Sequence, residues 1–219
     1  MSPSSPVLPS RAPIRRALVA VALFATAAAL ASCGFSRPSP VKRAFLLDPT
    51  PPAAAAVAKP VSVRVGVVNV AAPFRGKAFV YRDTDLRYDA DFYYEFFVAP
   101  ASMLSEATAK ALVAANVFRR IVPFGAVADD GDYVLDGFVS ELYGDTRNAS
   151  APEAVLTIAY YLSPTNVAAP GVIWTREYQK RVAATGKGPE AMARAWNTAL
   201  TAILAELTRD LAAAELPAR

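Results

Sequence analysis

The stretch from Pro189 to Leu211 constrains the fold more than any other part of the sequence. Its apolar residues recur at the spacing of a single helix face, and a proline stands where the helix would begin. These residues are Met192, Ala195, Trp196, Ala199, Leu200, Ile203, Leu204, Leu207 and Leu211. A long amphipathic helix owes most of its stability to packing of its apolar face. The sequence therefore predicts a helix that closes a folded domain.

Strand patterns precede this helix. Four valines from Val61 to Val67 alternate with Ser62, Arg64 and Gly66, which places the valines on one face of a strand. Other predicted strands cover residues 77–82, 92–98, 117–122, 133–143, 153–162 and 172–182, and a first helix covers 100–115 with Ser102 as its N-cap. The order predicts an α+β (open α/β) domain, with a mixed, largely antiparallel sheet of about six strands and two main helices packed on it.

The N-terminus has the organisation of a signal peptide over residues 1–32. Three arginines precede a charge-free run from Ala17 to Leu30. As a helix this run spans about 21 Å, short of the roughly 30 Å hydrocarbon core, which disfavours a permanent membrane span. Removing the three arginines lowers the formal charge from +4 to +1. A nearly neutral mature protein lacks the positive field on which non-specific nucleic-acid binding depends.

Leu30, Ala31, Ser32 and Cys33 directly follow this run and resemble the bacterial lipobox. The alternative is an ordinary cleavage site with Cys33 as a free thiol, but an unpaired cysteine is a liability in an oxidising compartment. Two or more acyl chains are enough for stable anchoring, so we expect palmitate-type acylation of Cys33. Gly34 stands where aspartate would retain an enterobacterial lipoprotein in the inner membrane. That resemblance implies the outer membrane, with the protein facing the periplasm.

Composition divides the remaining chain into a tether and a domain. Residues 33–60 contain the cysteine, a short apolar piece at 44–47 and a Pro- and Ala-rich run, which is typical of a tether. Residues 61–215 contain the predicted strands and helices.

The side chains argue against catalysis. The chain has no histidine, which excludes Ser-His, Cys-His and His-ligated metal sites. Five aspartates form two clusters, Asp83 with Asp85, and Asp129, Asp130 and Asp132, and the second lacks the spacing of an EF-hand. The glycines of 185–190 lack the spacing of a phosphate loop. We expect no catalytic residue, cofactor or metal.

Aromatic residues are concentrated between Phe74 and Phe97. Alternation along a strand assigns Phe92, Tyr94 and Phe96 to one face, and Tyr93, Glu95 and Phe97 to the other. Glu95 marks the second set as the outward one. A strand packed on both faces and an interaction surface explain the pattern equally well. If it is an interface, we expect Tyr81, Tyr93 and Phe97 to contribute.

Several weak motifs follow one another from Ala44 to Leu211. They are Phe45 to Leu47, the alternating valines, FRGKAFVYR (74–82), Ala99 and Pro100, Met103 and Leu104, Val117 to Val122, and YVLDG (133–137). In order and spacing they resemble the ABC-type transport auxiliary lipoprotein family. Phe96 and Phe97 stand where many relatives have a tryptophan.

The resemblance implies a non-catalytic component of an envelope system that transports lipids. The expected partners are a periplasmic protein of the mammalian-cell-entry (MCE) type, an ABC permease with its ATPase, the membrane through the N-terminal lipid, and further copies of the chain. The alternative is an outer-membrane lipoprotein cofactor for envelope assembly or cell-wall synthase activation.

Overall fold

The computed structural model describes residues 41–122, 131–165 and 171–217, which form an eight-stranded sheet and two α-helices. In chain order the elements are β1 (Arg43–Phe45), β2 (Lys59–Val70), a 3-10 turn (Ala72–Phe74), β3 (Ala78–Arg82), β4 (Tyr88–Phe96), α1 (Pro100–Ala114), β5 (Phe118–Val122), β6 (Tyr133–Asp145), β7 (Glu153–Pro164), β8 (Trp174–Ala183) and α2 (Pro189–Ala213).

β6 is the centre of the sheet because it is long enough to pair with three strands. One edge of β6 lies parallel to β2 along its first half and parallel to β3 near its end. The other edge pairs with β7, which pairs with β8, and both of these long ladders are antiparallel. β5 lies parallel to β2, while β4 connects antiparallel β3 to parallel β1. The predicted fold class is confirmed.

The alternating valines of β2 form the centre of the core, but the alternation breaks before Val67. Val63 and Val65 are buried, whereas Val67 is exposed and Val68 is buried in its place. The register against β6 shifts between Val65 and Val68, so the strand has a bulge with one extra residue. The Oγ of Ser105 on α1 accepts the Val68 N–H at 2.9 Å.

The helices begin and end for local reasons. α2 starts at Pro189 after Gly188, whose φ of 81° favours glycine. α1 begins at Pro100 with Ala99 at the N-cap position, so the prediction of Ser102 as N-cap is wrong. Asn116 has a φ of 49°, the left-handed conformation that commonly ends helices.

No helix in the described ranges is long and apolar enough to cross a membrane.

Part of the segment predicted as a tether packs on the domain. β1 pairs with β4 from Arg43 to Phe45, and Leu47 is buried. Further along, the Ala55 N–H donates to the Ala115 carbonyl at 2.7 Å. These contacts were not predictable from local periodicity, because β1 is only three residues long. The compact unit accordingly starts at Val41, before the expected domain boundary at Val61.

Candidate interaction surface

A wide bulge in β4 determines which aromatic side chains face outward. Glu95 pairs with Ala78 and Ala90 pairs with Val80, so residues 91–94 of β4 lie opposite Phe79 alone. The Asp91 carboxylate closes the bulge, because its Oδ1 accepts the N–H groups of Tyr93 at 2.7 Å and Tyr94 at 3.1 Å. This Asx-type turn satisfies backbone donors that β3 does not reach.

The bulge, together with the residues that directly follow β1 and β4, presents four large side chains to solvent. We call them the aromatic surface: Leu46, Phe92, Tyr93 and Phe97, with exposed fractions of 61%, 64%, 48% and 63%. The rings of Phe92 and Tyr93 lie edge to face, with centroids 5.2 Å apart. The Phe97 N–H donates to the carbonyl of Phe45 at 2.8 Å. Leu46 directly follows Phe45, so it lies beside Phe97.

The structure separates the two predicted faces of β4 only in part. Tyr93 and Phe97 point outward as expected, and Phe96 is buried as expected. Phe92 was assigned to the core face together with Phe96, and that assignment is wrong. The reason is the bulge at 91–94, which interrupts the two-residue alternation of side chains, so that Phe92 is not on the same face as Phe96.

Tyr81 does not belong to this surface. It lies half-buried on the core-facing side of β3, where its ring is next to Gly144 and close to Met192. Desolvation of the phenol, together with the charge of Asp91, raises the pKa of Tyr81 well above its usual range. The structure therefore brings together Tyr93 and Phe97 of the three predicted interface residues, and places Tyr81 against the core.

Ion pairs lie on the outward side of β4, where Glu95 stands between Tyr93 and Phe97. Glu95 lies between Lys42 at 3.1 Å and Lys77 at 3.6 Å. The hydrogen bond from Lys42 is the main reason that the pKa of Glu95 is below its usual value. The Lys42 ammonium also lies 5.8 Å from the centroid of the Phe92 ring, within the range of a cation–π contact. Protein interfaces contain aromatic residues together with polar and charged groups.

A groove adjoins the aromatic surface at Leu46. It runs between α1 and residues 46–51 and has a volume of about 440 Å³. Its lining comprises Leu46, Leu47, Asp48, Pro49, Thr50, Pro51, Val98, Met103, Glu106, Ala107, Lys110, Ala111 and Leu204. Most of these are apolar, and its charged members are Asp48, Glu106 and Lys110.

The carboxylates considered as candidate sites are engaged in structural contacts. Asp83 accepts a hydrogen bond from Thr146 at 2.6 Å, and Asp85 pairs with Arg147 at 2.7 Å. The Asp132 carboxylate accepts the N–H and the hydroxyl of Ser62 at 2.7 and 2.8 Å. Asp129 and Asp130 lie outside the described residues. Within the described ranges, no group of three or more acidic, His or Cys side chains could hold a metal.

An ion cluster around the buried Asp145 joins three parts of the sheet. The Asp145 carboxylate accepts hydrogen bonds from Arg147 at 2.7 Å and from Arg181 of β8 at 2.6 Å. Arg147 also donates a hydrogen bond to Asp85, and Arg181 donates one to Glu153. The pKa of Asp145 is far below its usual range, mainly because the carboxylate accepts hydrogen bonds from Arg147. This cluster holds strand ends in register.

Sequence reasoning missed Leu46, Phe92 and the groove. Phe92 could have been found from Asp91, since an aspartate directly before consecutive aromatic residues permits an Asx turn. The groove depends on contacts between segments far apart in the chain, and no local pattern predicts it. Cys33 and the rest of the lipobox, Leu30, Ala31 and Ser32, lie outside the described residues.

The fold is similar to that of solved protein structures. The chain is similar to protein XCC0632 from Xanthomonas campestris, of the family DUF330, with a TM-score of 0.67 and 16% identity over 76% of this chain and 92% of that one. An uncharacterized protein matches with a TM-score of 0.57 and 15% identity, over 79% of this chain and 97% of its own. At these identities the likeness shows the fold alone.

A weaker similarity is to lipoprotein GNA1162 from Neisseria meningitidis, with a TM-score of 0.37 and 12% identity over 71% of this chain and all of that one. No protein-family model matches the sequence, and no protein of curated function matches it.

Proposed function

We propose that this chain is a non-catalytic lipoprotein, anchored through Cys33 at the outer membrane and facing the periplasm. It docks the periplasmic MCE-type protein of an ABC transport system that moves lipids or other hydrophobic molecules through the envelope. The observation that carries the proposal is the aromatic surface, a cluster of large apolar side chains exposed on a structured strand pair. The motif order described above supports the choice of transport system.

The composition of the aromatic surface supports a protein partner. Phenylalanine and tyrosine are enriched in interface centres, where a few such residues carry most of the binding energy. Leu46 and Phe97 directly follow the paired strands β1 and β4, and the Phe97 N–H is hydrogen-bonded to the Phe45 carbonyl, which restricts their positions. Asp91 holds the bulge that presents Phe92 and Tyr93. A surface ordered before binding loses less conformational entropy on association.

The test of docking is co-purification of the full chain from cross-linked membranes. Phe97→Ala should weaken recovery of the MCE-type protein about thirtyfold, since truncating an interface anchor often costs 2 kcal/mol or more. Thermal melting should barely change, because Phe97 is largely exposed. Leu86→Ala is the matched control, as Leu86 is 94% exposed and lies outside the aromatic surface.

Two outcomes would contradict the docking proposal. One is wild-type protein that recovers no MCE-type protein or ABC permease. The other is a Phe97→Ala variant that recovers its partner as well as Leu86→Ala does. A loss of recovery that accompanies a lower melting temperature would assign Phe97 to packing instead.

The anchor is tested separately. Cys33→Ala should lose palmitate labelling and accumulate as uncleaved precursor or as soluble periplasmic protein, because acylation precedes cleavage in lipoprotein processing. Unchanged labelling in this variant would refute acylation at Cys33.

A further inference from the structure

The floor of the groove is apolar. The groove has room for a ligand because small side chains on α1 stand beside larger ones. Ala107 and Ala111 lie one helical turn apart and both are buried, so they share the face of α1 that lines the groove. Met103 on the same helix and Leu204 of α2 complete the floor, and both are nearly inaccessible to solvent. The floor therefore favours a hydrocarbon ligand.

The wall opposite α1 is formed in advance. The Thr50 N–H donates to the hydroxyl of Thr201 at 3.2 Å, and the Asn197 amide donates to the Asp48 carbonyl at 3.1 Å. These bonds hold the segment 46–51 on α2. Pro49 and Pro51 restrict its backbone further, since proline fixes φ. A groove with two fixed walls accepts a ligand without ordering a loop.

The charges at the rim of the groove have both signs. Lys110 pairs with Glu106 at 2.7 Å, and both side chains are exposed. The hydrogen bond to Glu106 and the charge of Glu106 raise the pKa of Lys110, and the charge of Asp48 adds a smaller contribution. One ammonium among two carboxylates complements a headgroup that carries a phosphate next to a cationic amine. A purely anionic headgroup would meet two carboxylates and one cation.

We infer that this groove binds the alkyl chain of a single-chain zwitterionic lipid, a lysophosphatidylethanolamine, with the headgroup at Glu106 and Lys110. The volume of about 440 Å³ falls within the roughly 300–1,000 Å³ of small-molecule sites. A folded protein partner, in contrast, needs about 800 Å² of contact per side. A groove of this volume with a charged rim fits an amphiphile better.

This inference deepens the proposed function, because it names a class of hydrophobic cargo and rests on that function for its biological meaning. Leu46 lines the groove and also belongs to the aromatic surface. The groove therefore adjoins the surface on which the docked protein would lie.

The test uses the full chain in vesicles of phosphatidylethanolamine and phosphatidylglycerol, together with a photoactivatable lysophosphatidylethanolamine whose diazirine is in the alkyl chain. After irradiation, peptide mass spectrometry should find adducts on Met103 and on the segment 46–51. Ala107→Phe should lower this labelling about tenfold, because the ring displaces at least two methylenes of the ligand. Val113→Phe is the matched control, since Val113 is exposed on the same helix.

A second variant tests the rim without altering the core. Lys110→Glu changes an exposed side chain and should preserve thermal melting. It should abolish any preference for lysophosphatidylethanolamine over a diazirine fatty acid of equal chain length. Equal labelling by the two probes in the wild-type protein would overturn the headgroup assignment.

Other occupants give other results. Adducts confined to Phe92 and Phe97, or equal labelling in Ala107→Phe and Val113→Phe, would overturn the groove as a lipid site. Cross-links between two copies from a photoreactive residue at Leu46, without lipid adducts, would mean that a second copy covers it. Loss of docking in Phe97→Ala with normal lipid adducts bears on the partner alone, so the two proposals fail separately.

Discussion

Thr108 and Tyr160 share a buried hydrogen bond of 2.9 Å between their hydroxyl oxygens. The Thr108 hydroxyl is also within 2.8 Å of the Leu104 carbonyl, to which it donates. The Tyr160 hydroxyl then donates to Thr108, so both polar groups are satisfied in the core between α1 and β7. Burial raises the pKa of Tyr160 to about 12. The pair fixes the position of α1 over the sheet.

Removing one member of this pair should destabilise the domain. Thr108→Val leaves the Tyr160 hydroxyl buried without its acceptor, which costs about 1–3 kcal/mol. Tyr160→Phe should cost less, because Thr108 keeps its bond to Leu104. The double variant should cost less than the sum of the two. Urea unfolding measures all three, and Thr198→Val on the exposed face of α2 is the control. Strict additivity would show that the two hydroxyls do not interact.

The core face of α2 gives a second prediction. Leu204 has no exposed surface, so Leu204→Asp should unfold the domain, because burying an unpaired carboxylate costs several kcal/mol against a total stability of roughly 5–15 kcal/mol. Arg209→Ala, on the exposed side of α2, should change the melting temperature little. Glu206 also lies on α2 but is less suitable as a control, because its carboxylate pairs with Lys180 at 2.6 Å. Similar melting of Leu204→Asp and wild type would contradict the packing of α2.

The sequence predicted the parts of the fold that depend on uninterrupted periodicity. The apolar face of α2 and the inward valines at the start of β2 were identified because their neighbours in the chain determine their orientation. The two bulges were not identified. Asp91 is a local signal for the bulge in β4, but the bulge in β2 depends on a hydrogen bond to another element, which the local pattern does not contain. Ser105, on another element, accepts the Val68 N–H.

The candidate site was half predictable for the same reason. Tyr93 and Phe97 face outward, as the alternation of a regular strand predicts. Phe92 departs from that alternation because it lies in the bulge. Tyr81 is an aromatic residue of the kind found in interfaces, but it lies on the same face of β3 as the buried Phe79, and its ring is next to Gly144. The groove requires residues 46–51 to reach α2, a contact across more than half of the chain.

Acid should destabilise the domain partly through Asp145. The pKa of this carboxyl is lowered in the folded state, so its stabilisation is complete above the unfolded value of about 3.9 and is lost as pH falls towards the lower folded value. Asp145→Asn should cost no more than about 3 kcal/mol near neutral pH, since both arginines are more than a third exposed and keep other acidic partners.

The difference in unfolding free energy between wild type and Asp145→Asn should shrink as the pH decreases from about 7 to about 3. Denaturant unfolding across this range measures it. Asp89→Asn is the control, because Asp89 is exposed and its pairing with Arg87 contributes little. A difference that stays constant with pH would mean that the Asp145 charge does not contribute to stability.

The last prediction concerns Asp91, which positions the aromatic surface without belonging to it. Its Oδ1 accepts the N–H groups of Tyr93 and Tyr94, and these two bonds close the bulge in β4. Asp91→Ala removes the acceptor, so Phe92 and Tyr93 should lose their outward arrangement and partner recovery should fall. Stability should change by less than about 1.5 kcal/mol, because the freed N–H of Tyr93 can bind water.

Asp91→Asn separates geometry from charge, because the side-chain amide keeps an oxygen that can accept the same N–H groups. We expect Asp91→Asn to recover the partner nearly as well as the wild type, while Asp91→Ala recovers less of it, as Phe97→Ala does. The measurements are co-purification from cross-linked membranes and thermal melting of each variant. If both Asp91 variants lose the partner equally, the carboxylate charge acts directly in docking. If neither does, the bulge has no part in presenting the aromatic surface.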